Sequence, residues 1–346
     1  MLCSSHGAVV VVLALLVLAV VVGQVAALPV PAASVCDSLE SLSGSCASAC
    51  SGMGMILHRT CRTGCPPQVG VACRLRWLMA NFMVGQPHAA KMLPAAFEAW
   101  RSGADGALVL FMAGDHGTGK STAASILAHA MFPQRGESHT LAREDGLLPL
   151  GVLKRDGWSF KLRPQSDGAP PPRAAVDALI DEIYGDVVAQ LRVCPSSLII
   201  FDELHRVHPD IIRSLARFTE TPYVMDGGER VQTSRAVFVF ISDFGKESMS
   251  AHDTYDELVV RVRSLVNAVY GTAADAGVDV NRMFSYAIPF LPLDHEALLG
   301  VAAIALAELS SHPALVERGV VDVVIDPGVR HYVVRHALDP SALRES

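Results

Sequence analysis

Leu108-Val109-Leu110-Phe111-Met112-Ala113-Gly114-Asp115-His116-Gly117-Thr118-Gly119-Lys120-Ser121 is the stretch on which the fold turns. Leu108 to Met112 is a short continuous apolar run, the pattern of a strand buried on both faces of a parallel sheet, and a helical stretch follows the loop as far as Phe132. Between them stands G-x-x-x-x-G-K-S. In that strand–loop–helix setting the glycines let backbone N–H groups turn toward phosphate oxygens, and the helix N-terminus adds partial positive charge. Lys120 would neutralise the outer phosphates, and the Ser121 hydroxyl would ligate Mg²⁺. Gly114, Asp115, His116, Gly117, Thr118, Gly119, Lys120 and Ser121 are therefore the candidate nucleotide-binding residues.

Two further apolar runs extend the pattern. Leu198-Ile199-Ile200-Phe201 ends in Asp202-Glu203, a buried strand delivering two carboxylates at its carboxyl end, where ligands sit in open α/β sheets. Asp202 would bind the Mg²⁺ hydration shell, and Glu203 would orient and polarise an attacking water. A strand followed at once by Asp-Glu, with no N-K-x-D guanine-reading motif anywhere, favours ATP over GTP. Ala236 to Ile241 alternates valine and phenylalanine and ends in Ser242-Asp243. It reads as the next core strand, its polar tip reaching between the first two to sense the γ-phosphate. Asp243 could equally cap a turn or helix.

Composition narrows the alternatives. A chain of 346 residues predicts about two domains, and 51% hydrophobic against 18% charged residues excludes an intrinsically disordered protein. Lys+Arg of 28 against Asp+Glu of 35 gives a net charge of −7, which offers no global basic field for a nucleic acid. Ala8 to Val22 is an uninterrupted apolar stretch of 15 residues, about 22 Å as a helix. That length suits a signal peptide cleaved after Ala27 better than a membrane span. The leader Met1 to Gly7 carries no Lys or Arg, so a retained anchor, and membrane association through it, stays open.

Six of the eight cysteines (Cys36, Cys46, Cys50, Cys61, Cys65, Cys73) cluster behind that leader, with Cys3 and Cys194 elsewhere. A dense, even cluster in a Ser/Gly-rich segment reads as a disulfide framework, with zinc held by the C-x-x-x-C pairs as the alternative. Six cysteines allow fifteen pairings. Asn81, Asn267 and Asn281 form no glycosylation sequon.

The order of these parts resembles Clp-like AAA+ ATPases and, within them, the torsins. The resemblance covers roughly residues 75–340. It rests on Phe82-Met83-Val84-Gly85-Gln86, Gly114 to Ser121, Ile199 to Leu204 with His208 after it, and Met225-Asp226-Gly227. Phe238 to Ser242 and Ile288-Pro289-Phe290-Leu291-Pro292-Leu293 add to it, the latter looking especially torsin-like. It implies an α/β AAA+ P-loop NTPase with a parallel sheet flanked by helices, followed by a small C-terminal helical lid. The expected division is 1–27 leader, 28–74 cysteine-rich segment, 75–291 nucleotide-binding domain and 292–346 helical domain. Val84 and Gly85 would lie near the adenine. ATP and Mg²⁺ would be the cofactors, with Lys120, Glu203 and Asp243 catalytic and Ser121 and Asp202 on the metal. The resemblance further implies a homo-oligomer in the lumen of the endoplasmic reticulum or nuclear envelope, remodelling protein partners.

Departures from the family pattern matter as well. Torsins commonly carry Asn where this chain has Ser121, the ordinary magnesium-binding choice. The strand-tip Asn of the family is replaced by Asp243, a negative charge near the γ-phosphate that would weaken hydrolysis. No counterpart of the family's late Gly-Cys-Lys sensor follows His336 to Pro340, so that sensor is either missing or beyond Ser346. A weakly or non-hydrolysing ATP-dependent protein-binding module is the competing expectation. A threading unfoldase would need an aromatic pore loop, for which Trp158 and Phe160 are the candidates, and a buried strand explains them more simply. In Clp-type relatives a finger arginine lies nine residues before the Pro-Leu that opens the lid; here that position is Met283, with Arg282 beside it read as a solvated charge. Torsins resemble enzymes that borrow this arginine from a membrane-bound activator, and the same dependence is expected here.

Overall fold

All seven residues of β1 (Leu108–Gly114) are buried, which requires apolar layers on both sides of the strand. The computed structural model describes residues 70–103, 105–132, 151–157, 171–244, 249–250, 252–271 and 279–309. β1 is flanked by β6 (Val237–Ser242) on one side and β7 (Tyr286–Phe290) on the other, and the sheet continues through β3 (Leu198–Asp202) to β2 (Val152–Asp156). The order is β2-β3-β6-β1-β7, every pairing parallel.

Alternation along the strands sorts the core into two layers. Val109, Phe111, Ile199, Phe201, Phe238 and Phe240 face α4 (Arg173–Val193), α5 (Pro209–Ser214) and α7 (Tyr255–Tyr270). Leu110, Met112, Leu198, Ile200, Val239 and Ile241 face α1 (Val71–Phe82), α2 (Pro87–Arg101) and α3 (Lys120–Met131). On the first layer Phe201 stacks on Phe240 at 5.4 Å between ring centres, and Phe284 packs edge-on to Phe240. Burying such side chains stabilises by roughly 2–3 kcal/mol each before entropy is counted.

The edges of the sheet explain their own sequences. β7 contains Pro289, which cannot donate to a ladder on both sides and is tolerated because β7 is an edge strand. β2 lies at the other edge and carries Lys154 and Arg155, so it shows no apolar run. β4 (Tyr223–Asp226) and β5 (Glu229–Gln232) form a separate hairpin, closed by Gly227 at φ 58° and Gly228 at φ 83°. Two consecutive positive φ values are what a tight two-residue hairpin turn demands. Thr254 and Glu257 start α7 with a reciprocal capping box.

α8 (Val280–Met283) precedes β7, and α6 (Ala216–Thr219) follows α5. After β7 the chain passes to α9 (His295–Leu309), the described part of the segment expected to form a helical lid. Cys73, grouped above with the N-terminal cluster, and Cys194, set apart from it, are both disulfide-bonded. Among the described residues no helix is long and apolar enough to cross a membrane. The leader, Cys36 to Cys65, Trp158, Phe160 and the chain beyond 309 lie outside the described residues.

Candidate functional site

The parallel strands β1, β3 and β6 end side by side, and each ends in polar residues. β6 lies between the other two, with Ala113 opposite Ser242 and Phe201 opposite Phe240. Asp243, one residue past β6, therefore sits between the loop that follows β1 and the Asp202-Glu203 pair.

The loop after β1 needs its glycines. Gly117 and Gly119 hold φ of 76° and 96°, a left-handed backbone that side chains disfavour. At Gly114 a Cβ would fall 2.4 Å from the Phe290 carbonyl oxygen, so the β1–β7 approach requires a bare backbone. The loop also holds itself. Asp115 Oδ1 accepts the His116 N–H at 2.7 Å, and Thr118 Oγ1 donates to the Asp115 carbonyl at 2.8 Å. Lys120 opens α3 and is buried. Its Nζ donates to the carbonyls of Gly114 (3.1 Å) and Asp115 (2.6 Å) and pairs with Asp243 Oδ1 at 2.7 Å.

Asp202 and Ser121, the two candidate magnesium ligands, are neighbours: Ser121 Oγ donates to Asp202 Oδ2 at 3.2 Å. The same carboxylate oxygen receives Lys154 Nζ from β2 at 2.9 Å. A carboxylate only 8% exposed requires a compensating charge, and Lys154 supplies one.

Glu203 is the one non-glycine with positive φ among the described residues (φ 57°, ψ 38°), a conformation costing on the order of 1 kcal/mol. Strain of this kind persists where surrounding contacts over-determine it. The Glu203 N–H donates to Asp202 Oδ1 at 3.0 Å, and Arg206 Nε donates to Glu203 Oε2 at 2.9 Å. His205 Nε2 lies 3.3 Å from that same oxygen. From behind, the buried Tyr270 hydroxyl donates to the Leu204 carbonyl at 2.9 Å. Gly157 closes the approach from β2, since a Cβ there would lie 2.4 Å from the Glu203 carbonyl oxygen.

Asp243 has partners beyond Lys120. Its Oδ2 lies 3.5 Å from His116 Nδ1, and its N–H donates to His205 Nδ1 at 3.3 Å. Burial pushes its carboxyl up, but the hydrogen bond and charge of Lys120, with smaller help from His205 and His116, outweigh that and hold it below the usual carboxylate range. Asp243 is thus a charged carboxylate paired with Lys120; residues 245–248, which a cap would involve, lie outside the described residues.

Val84 and Gly85 lie on the far side of the loop, against the segment after β7. A Cβ on Gly85, itself at φ 70°, would meet the Ala297 Cβ at 2.6 Å, and one on Gly300 would meet Val84 Cγ1 at 2.8 Å. Both residues therefore pack on α9. Gln86 ties the three parts together: Nε2 donates to the carbonyls of Thr118 (3.0 Å) and Leu291 (2.7 Å), and Oε1 accepts the Leu291 N–H at 2.8 Å.

The structure brings Gly114 to Ser121, Asp202, Glu203 and Asp243 to one end of the sheet. Val84 and Gly85 stand at the junction with α9. Met283 is buried, while Arg282 is 86% exposed and pairs only with Asp279, at 3.3 Å, among the described contacts. Sequence reading missed Gln86, Lys154, His205 and Arg206 as parts of the site. Gln86 carried a signal, a polar residue in a buried stretch before Pro87; Lys154 carried none, because its partner is 48 residues away.

The fold is that of an α/β P-loop NTPase. No family model matches the chain. It is 24% identical over 273 residues to "Chaperone protein ClpB2, chloroplastic" of Oryza sativa subsp. japonica, covering 75% of this chain and 25% of that protein. It is 24% identical over 181 residues to the mitochondrial disaggregase of Homo sapiens, covering 50% and 23%. Among solved structures, the Saccharomyces cerevisiae Hsp104–ADP complex matches with a TM-score of 0.48 and 20% identity, over 70% of this chain and 39% of that one. The similar proteins are Clp- and Hsp104-type AAA+ ATPases, and this chain spans about a quarter of the length of the curated relatives it matches.

Proposed function

We propose that this chain is a AAA+ ATPase that binds ATP with Mg²⁺ and couples its hydrolysis to remodelling of protein partners. The observation that carries the reading is the convergence of Lys120, Ser121, Asp202, Glu203 and Asp243 at the ends of three adjacent parallel strands. Backbone N–H groups of the 114–121 loop would face the phosphates, and Lys120 would turn from Asp243 toward the outer ones. Ser121 and Asp202 fit Mg²⁺ as a hydroxyl and a carboxylate in contact, and the ion when bound neutralises charge on the phosphate oxygens. Glu203 would leave Arg206 and His205 and accept a proton as water attacks the γ-phosphorus, the bond to the β-bridging oxygen breaking to give ADP and phosphate.

The finer reading is a torsin-like protein of the endoplasmic reticulum lumen or nuclear envelope, assembled from copies of itself and activated by a membrane-bound partner. Its support is the apolar leader, the Ile288 to Leu293 segment and the lack of an arginine at Met283. The disulfide bonding of Cys73 and Cys194 suits an oxidising compartment. Arg282, exposed and paired with Asp279, is a surface charge in this reading. A second reading, a nucleotide-dependent binding module that scarcely hydrolyses, draws support from Lys120 being held by Asp243 and Glu203 by Arg206.

The test is nucleotide binding and steady-state hydrolysis by the purified protein, alone and with candidate luminal domains of membrane proteins. Lys120→Ala should lose ATP, and Glu203→Gln should keep ATP and lose turnover. Parental ATP binding by Lys120→Ala, or parental turnover by Glu203→Gln, would refute the site. Brisk hydrolysis by the protein alone that vanishes in Arg282→Ala would remove the need for an activator.

A further inference from the structure

His116, Glu203 and Asp243 each offer one donor atom, and the three atoms lie within 4.8 Å of one another. They arrive from three separate segments: the loop after β1, the end of β3 and the end of β6. We propose that these side chains form a binding site for a divalent transition-metal ion of the zinc class, at the γ-phosphate end of the cleft and distinct from the Ser121–Asp202 pair. The site stands whether or not the chain hydrolyses ATP, because all three ligands belong to the protein.

Donor spacing supports it. A tetrahedral shell with bonds of about 2.0–2.1 Å places neighbouring ligand atoms about 3.3 Å apart. His116 Nδ1 and Asp243 Oδ2 are 3.5 Å apart, so two of the three ligands already stand at that separation. The Glu203 donor completes a set whose atoms all lie within 4.8 Å of one another.

The contacts already made by these side chains define what the ion would meet. Asp243 spends Oδ1 on Lys120 and turns Oδ2 toward His116. His205 accepts the Asp243 N–H through Nδ1 and sets Nε2 on the Glu203 carboxylate, so one ring orients both carboxylate-bearing residues from outside the ligand set. The His116 side chain is 80% exposed, which leaves an entry path from solvent.

Ligand chemistry selects the ion. One imidazole and two carboxylates with few protein ligands suit zinc-class ions, whereas Mg²⁺ prefers an all-oxygen octahedron. Arg206 opposes the ion through its contact with Glu203 and must yield when the ion binds. An ion held here would also draw on the Glu203 lone pair that the hydrolytic reading assigns to water, so zinc would inhibit turnover.

The experiment is a Co²⁺ titration of the chelator-stripped full chain without nucleotide, followed by displacement with Zn²⁺. Cysteine thiolates on cobalt give an intense near-ultraviolet charge-transfer band, whereas nitrogen and oxygen ligands give only weak visible bands, so any zinc site in the cysteine-rich segment is told apart. The expected result is one cobalt with nitrogen–oxygen character, weakened tenfold or more in His116→Ala and in Asp243→Asn and unchanged in His252→Ala. His116 is an exposed loop residue, so its loss leaves the fold intact, as circular dichroism would verify. A parent that takes up cobalt only on thiolates, or a His116→Ala variant that binds it as the parent does, overturns the proposal. ATP binding by the same proteins is measured separately in Mg²⁺, so failure of the nucleotide reading leaves the cobalt result standing and the reverse.

Discussion

Replacing Asp243 with Asn should tighten ATP binding. The carboxylate sits 2.7 Å from Lys120 Nζ, the one buried cation at the loop, and a γ-phosphate held by that same ammonium would lie roughly 5–6 Å from Asp243. At an effective dielectric of about 20, one pair of like charges at that distance repels by about 3 kcal/mol. Asp243 is 21% exposed, and bound cations screen further, so roughly half is retained. Removing the charge while keeping the shape then favours ATP by about 1–2 kcal/mol, roughly a 5- to 30-fold gain in affinity. ADP lacks the phosphate that faces Asp243 and should gain no more than about 3-fold by the same reckoning. The assay is competition of ATP and ADP against a fluorescent nucleotide at fixed Mg²⁺. An Asp243→Asn protein that binds ATP no more tightly than the parent, or gains equally for ADP, would refute the account of Asp243 as a competitor for Lys120. The pH dependence has a definite sign. Because the folded-state carboxyl is held low, its ion pair contributes in full above the ordinary value of about 3.9 and is lost only as pH falls through the lowered one. The stability difference between parent and Asp243→Asn should therefore persist at neutral pH and close in strongly acid solution, as Asp243 is protonated.

Lys154→Ala should reduce the Mg²⁺ concentration needed for half-maximal ATP binding several-fold, since the ammonium now on Asp202 competes with the metal; an unchanged or raised requirement would sink that reading. Gln86→Ala leaves the Thr118 and Leu291 carbonyls and the Leu291 N–H without their partner and should lower stability by roughly 1–3 kcal/mol, read from urea unfolding. Gln86→Glu, which keeps the acceptor and loses the donor, should not restore it. Tyr270→Phe should cost about 1 kcal/mol and slow any Glu203-dependent turnover while sparing ATP affinity, because the hydroxyl supports the Leu204 carbonyl beside the strained Glu203.

The central strands were legible because each is an unbroken apolar run closed by charged or glycine residues, as in Leu108–Gly114 and Leu198–Asp202. Burial on both faces removes the polar alternation that blurs other strands. β2 escaped because an edge strand admits Lys154 and Arg155, and the β4–β5 hairpin registered only as a Met225-Asp226-Gly227 motif. In the site, the loop glycines and the strand-end carboxylates follow from local spacing. What the sequence could not yield were pairs closed by the topology: Lys154 with Asp202, Gln86 with Leu291, His116 with Asp243. Asp243 was legible as an acid at a strand tip, but whether it faces a phosphate or a lysine depends on where β6 lies in the sheet.

The charges of the site are matched internally: Lys120 with Asp243, Asp202 with Lys154, Glu203 with Arg206. Each pair joins a group the nucleotide would use to one it would not. In the proposed reading, binding ATP with Mg²⁺ would exchange three protein ion pairs for contacts to phosphate and metal, and the gain would be only the difference between the two sets. That difference is smallest for Glu203, whose partners Arg206 and His205 follow it directly in the chain and move with it. Nucleotide alone supplies no cation to compete with Arg206 for Glu203 and no anion for Arg206 to prefer except the γ-phosphate itself. In the proposed reading a charge brought from outside the chain would release this pair; the position nine residues before Pro292 is the buried, uncharged Met283, and Arg282 is exposed. Arg206→Ala should then raise the basal turnover of the isolated protein and shrink the effect of any activator. A variant that stays silent without a partner and responds to one as fully as the parent would place the restraint elsewhere.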